Sequence, residues 1–430
     1  MFNKLIINKE KNLIVLSLSI LIAFYPISFL LGSLIINLNT LLIGLIFLIA
    51  SIKNKKLDLF KNEIFFLLIV FLLSLIINLF FSENPENGFS RVFGFVRFIF
   101  LIMAFQFFFR NENKNYYSFV FKTWMIIFLI VTFDLIFEYF YGFNSLGYKS
   151  YMPGRLSGFL DQELKIGHFY SSFFLIISAY LLIIYKKNYL FFSVLICFII
   201  VSLLIGERAN FIRVFFMSIL FIFLFDRKFI LNKLIVLFIL VLTIVSFISL
   251  NENYNKRFWG QFLKPIIFGK VKTDKIEINK IFSIKEVINY TVYGANYDRA
   301  YRVFLDNKFF GVGIKNYRNE SNKKKYENKE LHFNKAAAST HPHQLHLEFL
   351  CETGLFGYSF FLIFIFYTLY LSIKGLIKNN NPILLATVLY FIFSLFPLLP
   401  SGSFFTSFGA TLFWINYGLL AANLNKKNII

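Results

Sequence analysis

Apolar runs of about twenty residues, separated by short charged or turn-forming stretches, recur along almost the whole chain and limit the folds open to it. A helix needs about 20 mostly apolar residues to cross the hydrocarbon core of a bilayer, because each residue advances it by only about 1.5 Å. Twelve segments meet that requirement to within a few residues: 13–31, 34–52, 64–81, 92–109, 119–141, 167–185, 189–205, 211–225, 234–250, 355–373, 383–399 and 404–423. The fold class expected is an all-α polytopic membrane protein with about twelve transmembrane helices. Residues 1–250 carry nine of them, 355–430 the last three, and 251–354 form a large connection between the ninth and tenth.

Composition agrees. The chain is 58% hydrophobic and 16% charged, against roughly 45–50% and about 25% in soluble domains. An AT-rich genome would inflate Phe, Ile, Lys and Asn, but codon bias does not gather apolar residues into runs of spanning length. Lys4, Lys9 and Lys11 precede the first run as they would in a signal peptide. No small-residue cleavage site follows, so an uncleaved first helix is expected.

The net charge of +21 becomes informative through its placement, since Lys and Arg in short loops favour the cytoplasm. With the N-terminus inside, the cytoplasmic segments hold Lys53, Lys55, Lys56 and Lys61, then Arg110 and Lys114, and then Lys186 and Lys187. Further along they hold Arg227, Lys228 and Lys233, Lys374 and Lys378, and finally Lys426 and Lys427. The short external loops carry far fewer. An odd number of spans would break this alternation. Both termini are therefore expected in the cytoplasm, and 251–354 on the external side of the membrane. That connection is too long for a plain loop, and short helices across the bundle mouth are expected. Its excess of Lys and Arg over Asp and Glu fits an anionic ligand as well as simple solvation. Cys197 and Cys351 suggest no disulfide framework, and no CxxC metal motif or nucleic-acid module is present.

Chemistry-bearing residues collect on the external side. Four of the five histidines lie in the long connection, and three of those crowd into Thr340-His341-Pro342-His343-Gln344-Leu345-His346. Pro342 suits the first position of a helix, capped by Thr340 or His341, which would put His343 and His346 on one face before a stop near Gly354. Histidine titrates near working pH and suits a general base. A metal site and a polar surface helix are the competing readings, although acidic or thiolate partners for a metal are not evident.

Gly206-Glu207-Arg208-Ala209-Asn210-Phe211-Ile212-Arg213 sets charge between two apolar runs. There Arg208 either binds phosphate with its planar fork of donors or is neutralised by Glu207. Arg299 and Arg302 share a helix face ahead of Gly311-Val312-Gly313-Ile314-Lys315. That Gly-x-Gly does not follow a strand, so a dinucleotide site is rejected. The loop with Gly154, Arg155, Asp161 and Glu163 reads either as a binding loop or as turn chemistry.

In order, Arg155-Leu-Ser-Gly-Phe, Gly206-Glu-Arg-Ala, Gly311-Val-Gly-Ile-Lys-Asn-Tyr and Thr340-His-Pro-His-Gln through Glu352-Thr-Gly-Leu-Phe-Gly357 resemble the O-antigen ligase and O-antigen polymerase superfamily. Gln344 stands where that family usually has Asn. The resemblance implies a GT-C-like, metal-independent glycosyltransferase without cofactor. The donor would be a glycan on undecaprenyl diphosphate, and the acceptor lipid A–core oligosaccharide or a growing glycan. His343, or else His341, would be the base. Arg208 with Arg299 or Arg302 would hold the diphosphate, and Arg155, Asp161, Glu163 and Lys315 would belong to a substrate loop. Ligation to lipid A–core is the leading expectation and polymerisation the alternative. A transporter is a third reading, kept open by Asp134 and Glu138 within the fifth run.

Overall fold

The computed structural model describes residues 2–53, 57–110, 114–185, 188–225, 230–264 and 288–424. Lys55, Lys56, Lys186, Lys187, Arg227, Lys228, Lys426 and Lys427, and the side chains of Lys4, Lys9 and Lys11, lie outside them.

The twelve apolar runs lie mostly on helix, although 395–399 and 404–406 are not helical. In chain order the helices that carry them are α1 (Phe2–Ala23), α2 (Tyr25–Leu31), α3 (Ser33–Lys53), α4 (Glu63–Phe80), α5 (Pro85–Gly94), α6 (Val96–Phe109), α7 (Lys114–Tyr141), α8 (Ile166–Tyr185), α9 (Asn188–Leu204), α10 (Arg208–Phe225) and α11 (Ile230–Leu250). After the long connection, which holds α12 (Val292–Asp306), come α13 (Leu345–Lys378), α14 (Pro382–Ser394) and α15 (Ser407–Asn423). Helix is what an apolar environment demands, because it satisfies each backbone N–H and C=O within the segment.

By length and hydropathy, eight described helical spans can cross a membrane, one of them α5 and α6 together, and Leu13–Ala23 of α1 with α2, bent by 44°, makes up to nine. Phe191–Leu204 in α9 and Pro382–Ser394 in α14 are shorter apolar helices. Large apolar side chains remain on the outside of the bundle, among them Leu34, Phe80 and Leu250, at 78%, 82% and 88% exposure. Exposure on that scale fits hydrocarbon rather than water.

The interior is aromatic. Trp124 and Trp414 are fully buried, and the stack of Phe349 on Phe361 has ring centroids 3.9 Å apart. Helices α6 and α15 pack together, α3 lies against α6, and α14 contacts α8, α10 and α15.

Connections gather at two ends. At one end Asn62 donates to Gln106, Tyr367 to Glu63 and Asn381 to Asn423. At the other, the segments after α4, α7, α9, α11 and α14 meet the long connection. There Glu83 N donates to Val312 O, Leu156 N to Ile205 O and Ser401 N to His343 O.

Candidate active site

The loop after α7 is held from below by two carboxylates within that helix. Glu138 accepts hydrogen bonds from Ser157 N at 3.0 Å and Gly158 N at 2.7 Å. Asp134 accepts from Ser145 N at 2.8 Å. These are the acids that kept a transporter reading open, and each spends its charge on loop donors. The clamp sets Gly154 against the turn at Gly206. A Cβ on Gly206 (φ +72°) would lie 1.9 Å from Gly154 O, so only glycine admits this backbone crossing.

The crossing brings three arginines around one carboxylate. Arg155, Glu207, Arg208, Arg257 and Tyr293 line a cavity of about 90 Å³. Arg155 Nη2 donates to Leu164 O at 2.7 Å and lies 3.5 Å from Glu207 Oε2. The other Glu207 oxygen is 3.4 Å from His168 Nε2. Arg257 stands on the π-wound segment Asn255–Leu263. Its Nε and Nη2 donate to Gly206 O at 3.3 and 3.1 Å. Arg208 Nη1 donates to Arg257 O at 3.1 Å.

Burial, reinforced by Arg155 and Arg208 nearby, pulls the Arg257 guanidinium down to about 10. Among the described residues, three guanidiniums with one carboxylate leave an excess of positive charge that a dianion would relieve. The ion pair expected between Glu207 and Arg208 is replaced by Glu207 with Arg155 and His168, because adjacent residues point their side chains apart.

The histidine stretch departs from its expected geometry. Gln344, not Thr340 or His341, caps the helix by accepting from Leu347 N, and α13 begins at Leu345. His343 lies in the left-handed region (φ 58°), which a helix cannot include, so it shares no helix face with His346. Its place is set by Ser401 N, which donates to His343 O at 2.9 Å.

The His341 and His343 rings are 4.1 Å apart, and His343 is 6.2 Å from Tyr293. Tyr293 thus links imidazole and arginine cavity. His341 Nδ1 is 3.2 Å from Thr340 Oγ1, and its Nε2 is buried without a partner. Burial pushes both imidazoles down, His341 to about 3, so both are held neutral. His346, by contrast, is committed through both nitrogens, to Tyr358 Oη at 3.0 Å and Leu395 O at 2.7 Å. Among the described residues no group of three His, Cys, Asp or Glu is placed to hold a metal ion.

The two glycine motifs interlock. Val312 N donates to Cys351 O at 2.9 Å, Gly313 N to Glu352 O at 2.8 Å and Leu355 N to Lys308 O at 2.8 Å. Gly354 (φ 62°) breaks α13 here, and a Cβ on it would lie 2.3 Å from Phe309 O. The junction directs Lys315 Nζ to Ser403 Oγ at 2.6 Å, and Ser403 donates to the buried Glu348.

Asp161, Lys315 and His343 are the non-glycine positions of positive φ among the described residues. Such conformations cost about 1–3 kcal/mol and cluster at functional sites. Asp161 is exposed, and Glu163 forms an exposed pair with Lys165 at 2.9 Å.

Arg299 and Arg302 do not reach the arginine cavity. Arg299 is 3% exposed and donates to Ser321 O at 2.8 Å and Asn334 Oδ1 at 3.0 Å, bracing the connection from within. Arg302 pairs with Asp298 at 2.8 Å. The guanidinium beside Arg208 is Arg257, in a stretch without a motif. Its sequence signal is a cation a few residues beyond the apolar run 234–250.

Residues 192–362 match the family model described as O-antigen ligase. The match contains Arg208, Arg257, Tyr293, His341 and His343. No curated protein matches the chain.

Proposed function

We propose that this chain, whose residues 192–362 match the O-antigen ligase family model, is a membrane glycosyltransferase of that superfamily, moving a glycan from undecaprenyl diphosphate to lipid A–core oligosaccharide. In this reading the long connection and the loops it meets face the periplasm of the inner membrane, with both termini cytoplasmic. One observation supports the proposal: Tyr293 lines an arginine cavity with excess positive charge, and its ring centroid lies 6.2 Å from that of the His343 imidazole.

The chemistry then follows. His343, with His341 beside it, takes the proton of an acceptor hydroxyl. The freed oxygen attacks the anomeric carbon as its bond to the diphosphate breaks. The diphosphate leaves with that electron pair, and the proton passes from His343 to solvent. Arg208 and Arg257, with Arg155 at the rim, meet the charge developing on the leaving group. Preorganised donors of this kind are worth about 3–4 kcal/mol each. Arg257 takes the place once expected of Arg299 or Arg302. The glycan is already activated by its diphosphate bond, so the step requires no nucleotide.

Transfer assayed in vitro with a defined lipid-linked donor tests the reading. His343→Ala and Arg208→Ala, expressed normally, should each lose transfer, and full activity in both would overturn it. The same residues serve polymerisation when the acceptor is a growing glycan. Lipopolysaccharide gels of a deletion strain separate the two. Core without polymer indicates ligation, and core carrying one repeat unit indicates polymerisation.

A further inference from the structure

A second cavity, of about 230 Å³, lies between the start of α8, α10, the end of α14 and the start of α15, and His341 lines it. Three features mark it as a built anion site. The first is Arg213, which is 6% exposed. Its Nη1 and Nη2 donate to Asn210 Oδ1 at 3.1 Å and Pro400 O at 2.8 Å, and its buried Nε has no partner. It makes no ion pair with a carboxylate among the described residues.

The second feature is the first turn of α15, a helix of 17 residues whose cap Thr406 makes no side-chain bond to it. Ala410 N closes the first helical bond, to Thr406 O. The N–H groups of the first turn therefore have no helical acceptor, and Phe408 and Gly409 of that turn line the cavity, where the helix dipole favours negative charge.

The third is a set of polar atoms lacking partners on the same wall, Ser401 Oγ and His341 Nε2. Lys165 stands at the mouth, its Nζ 5.9 Å from the Phe408 ring. Glu207 and His168, in contact at 3.4 Å, separate this space from the arginine cavity, since His168 lines one and Glu207 the other.

We propose that this second cavity binds an anionic oxygen group, a phosphate or carboxylate, carried by the second substrate. The anion would sit between Arg213 and the N-terminus of α15, and the acceptor hydroxyl would come to the paired histidines from the side opposite the donor. Assignment to the second substrate rests on the transferase reading, but the anion site itself does not. Phe404, Phe408 and Phe413 supply an apolar wall, suited to the ring face of a sugar or to a lipid chain.

The test uses the full chain in neutral detergent with inorganic phosphate as probe and thermal stabilisation as readout. Arg208→Gln with Arg257→Gln removes the donor cradle and should leave phosphate stabilisation in place. Adding Ser401→Asp, which puts a carboxylate in the cavity, should weaken it about tenfold or more, the size expected for a like charge set beside the anion.

Retention of stabilisation in the Ser401→Asp variant, or its loss in the cradle variant alone, would overturn the proposal. Competition by phosphatidylglycerol would assign the anion to a lipid headgroup. Competition by a hexose phosphate alone would assign it to the acceptor glycan. Failure of the donor reading is read separately, as pyrophosphate binding that ignores Arg208 and Arg257.

Discussion

Arg208 donates a hydrogen bond to the backbone carbonyl of Arg257 at 3.1 Å, while Arg257 donates to the carbonyl of Gly206 at 3.1 Å. The two arginines therefore position each other through the main chain. Their guanidiniums stay close in spite of like charge, and among the described residues Glu207 is the one carboxylate lining the cavity they share. Such an arrangement costs stability until an anion enters it, which ties the folding energetics of this end of the bundle to substrate binding.

Replacing either member should therefore cost activity more than folding. Arg208→Ala and Arg257→Ala are each expected to lower kcat/KM for transfer by about 10²–10³. Arg299→Ala should act the other way, because Arg299 braces Ser321 and Asn334. It should reduce the yield and Tm of purified protein with little change in kcat per folded molecule. Transfer assays normalised to folded protein separate these outcomes.

The base should work well into acid. Burial holds the His343 imidazole below its ordinary value, so it stays unprotonated, and competent, below pH 6.5. The acid limb of kcat/KM should lie under that pH. A limb above pH 6.5 would show that another group controls the profile.

Stability should fall on the same side. His341 has a folded-state value of about 3 against roughly 6.5 in an unfolded chain. Between those values the unfolded chain binds more protons, so stability rises with pH through that window and is lost as pH falls. His341→Asn should flatten the decline in Tm between pH 6.5 and pH 4, measured in detergent.

Gly206→Ala should prevent assembly of the cradle. The new methyl group would meet Gly154 O at 1.9 Å in a backbone with φ +72°. Both the clash and the left-handed conformation are unfavourable, the latter by about 1 kcal/mol or more. Loss of folded protein, or of pyrophosphate binding in whatever folds, is the outcome expected. Glu138→Gln should loosen the same loop more mildly by weakening its bonds to Ser157 and Gly158, seen as faster proteolysis within 142–166.

Several parts of this structure were legible in the residues alone. Apolar runs of spanning length dictate helices, because a helix is the local solution to an apolar surrounding and requires no distant partner. The break at Gly354 and the joining of Gly311-Val312-Gly313 to it needed glycine at fixed places, and the motifs marked those places. Arg208 stood out for the same reason, as a cation set into an apolar stretch.

What a side chain faces is different, since that depends on elements far away in the chain. Pro342 and the histidine spacing argued for a helix from that point. Ser401, nearly sixty residues on, instead holds His343 in a turn, and Gln344 takes the cap. Arg299 and Arg257 are both basic residues of one connection, yet one turns inward to brace it and the other meets Arg208. Periodicity and local motif determined the helices and their glycine joints. Only the docking of the connection onto the bundle decided which guanidiniums and imidazoles share a cavity, because burial and hydrogen bonding there come from segments that chain spacing does not relate.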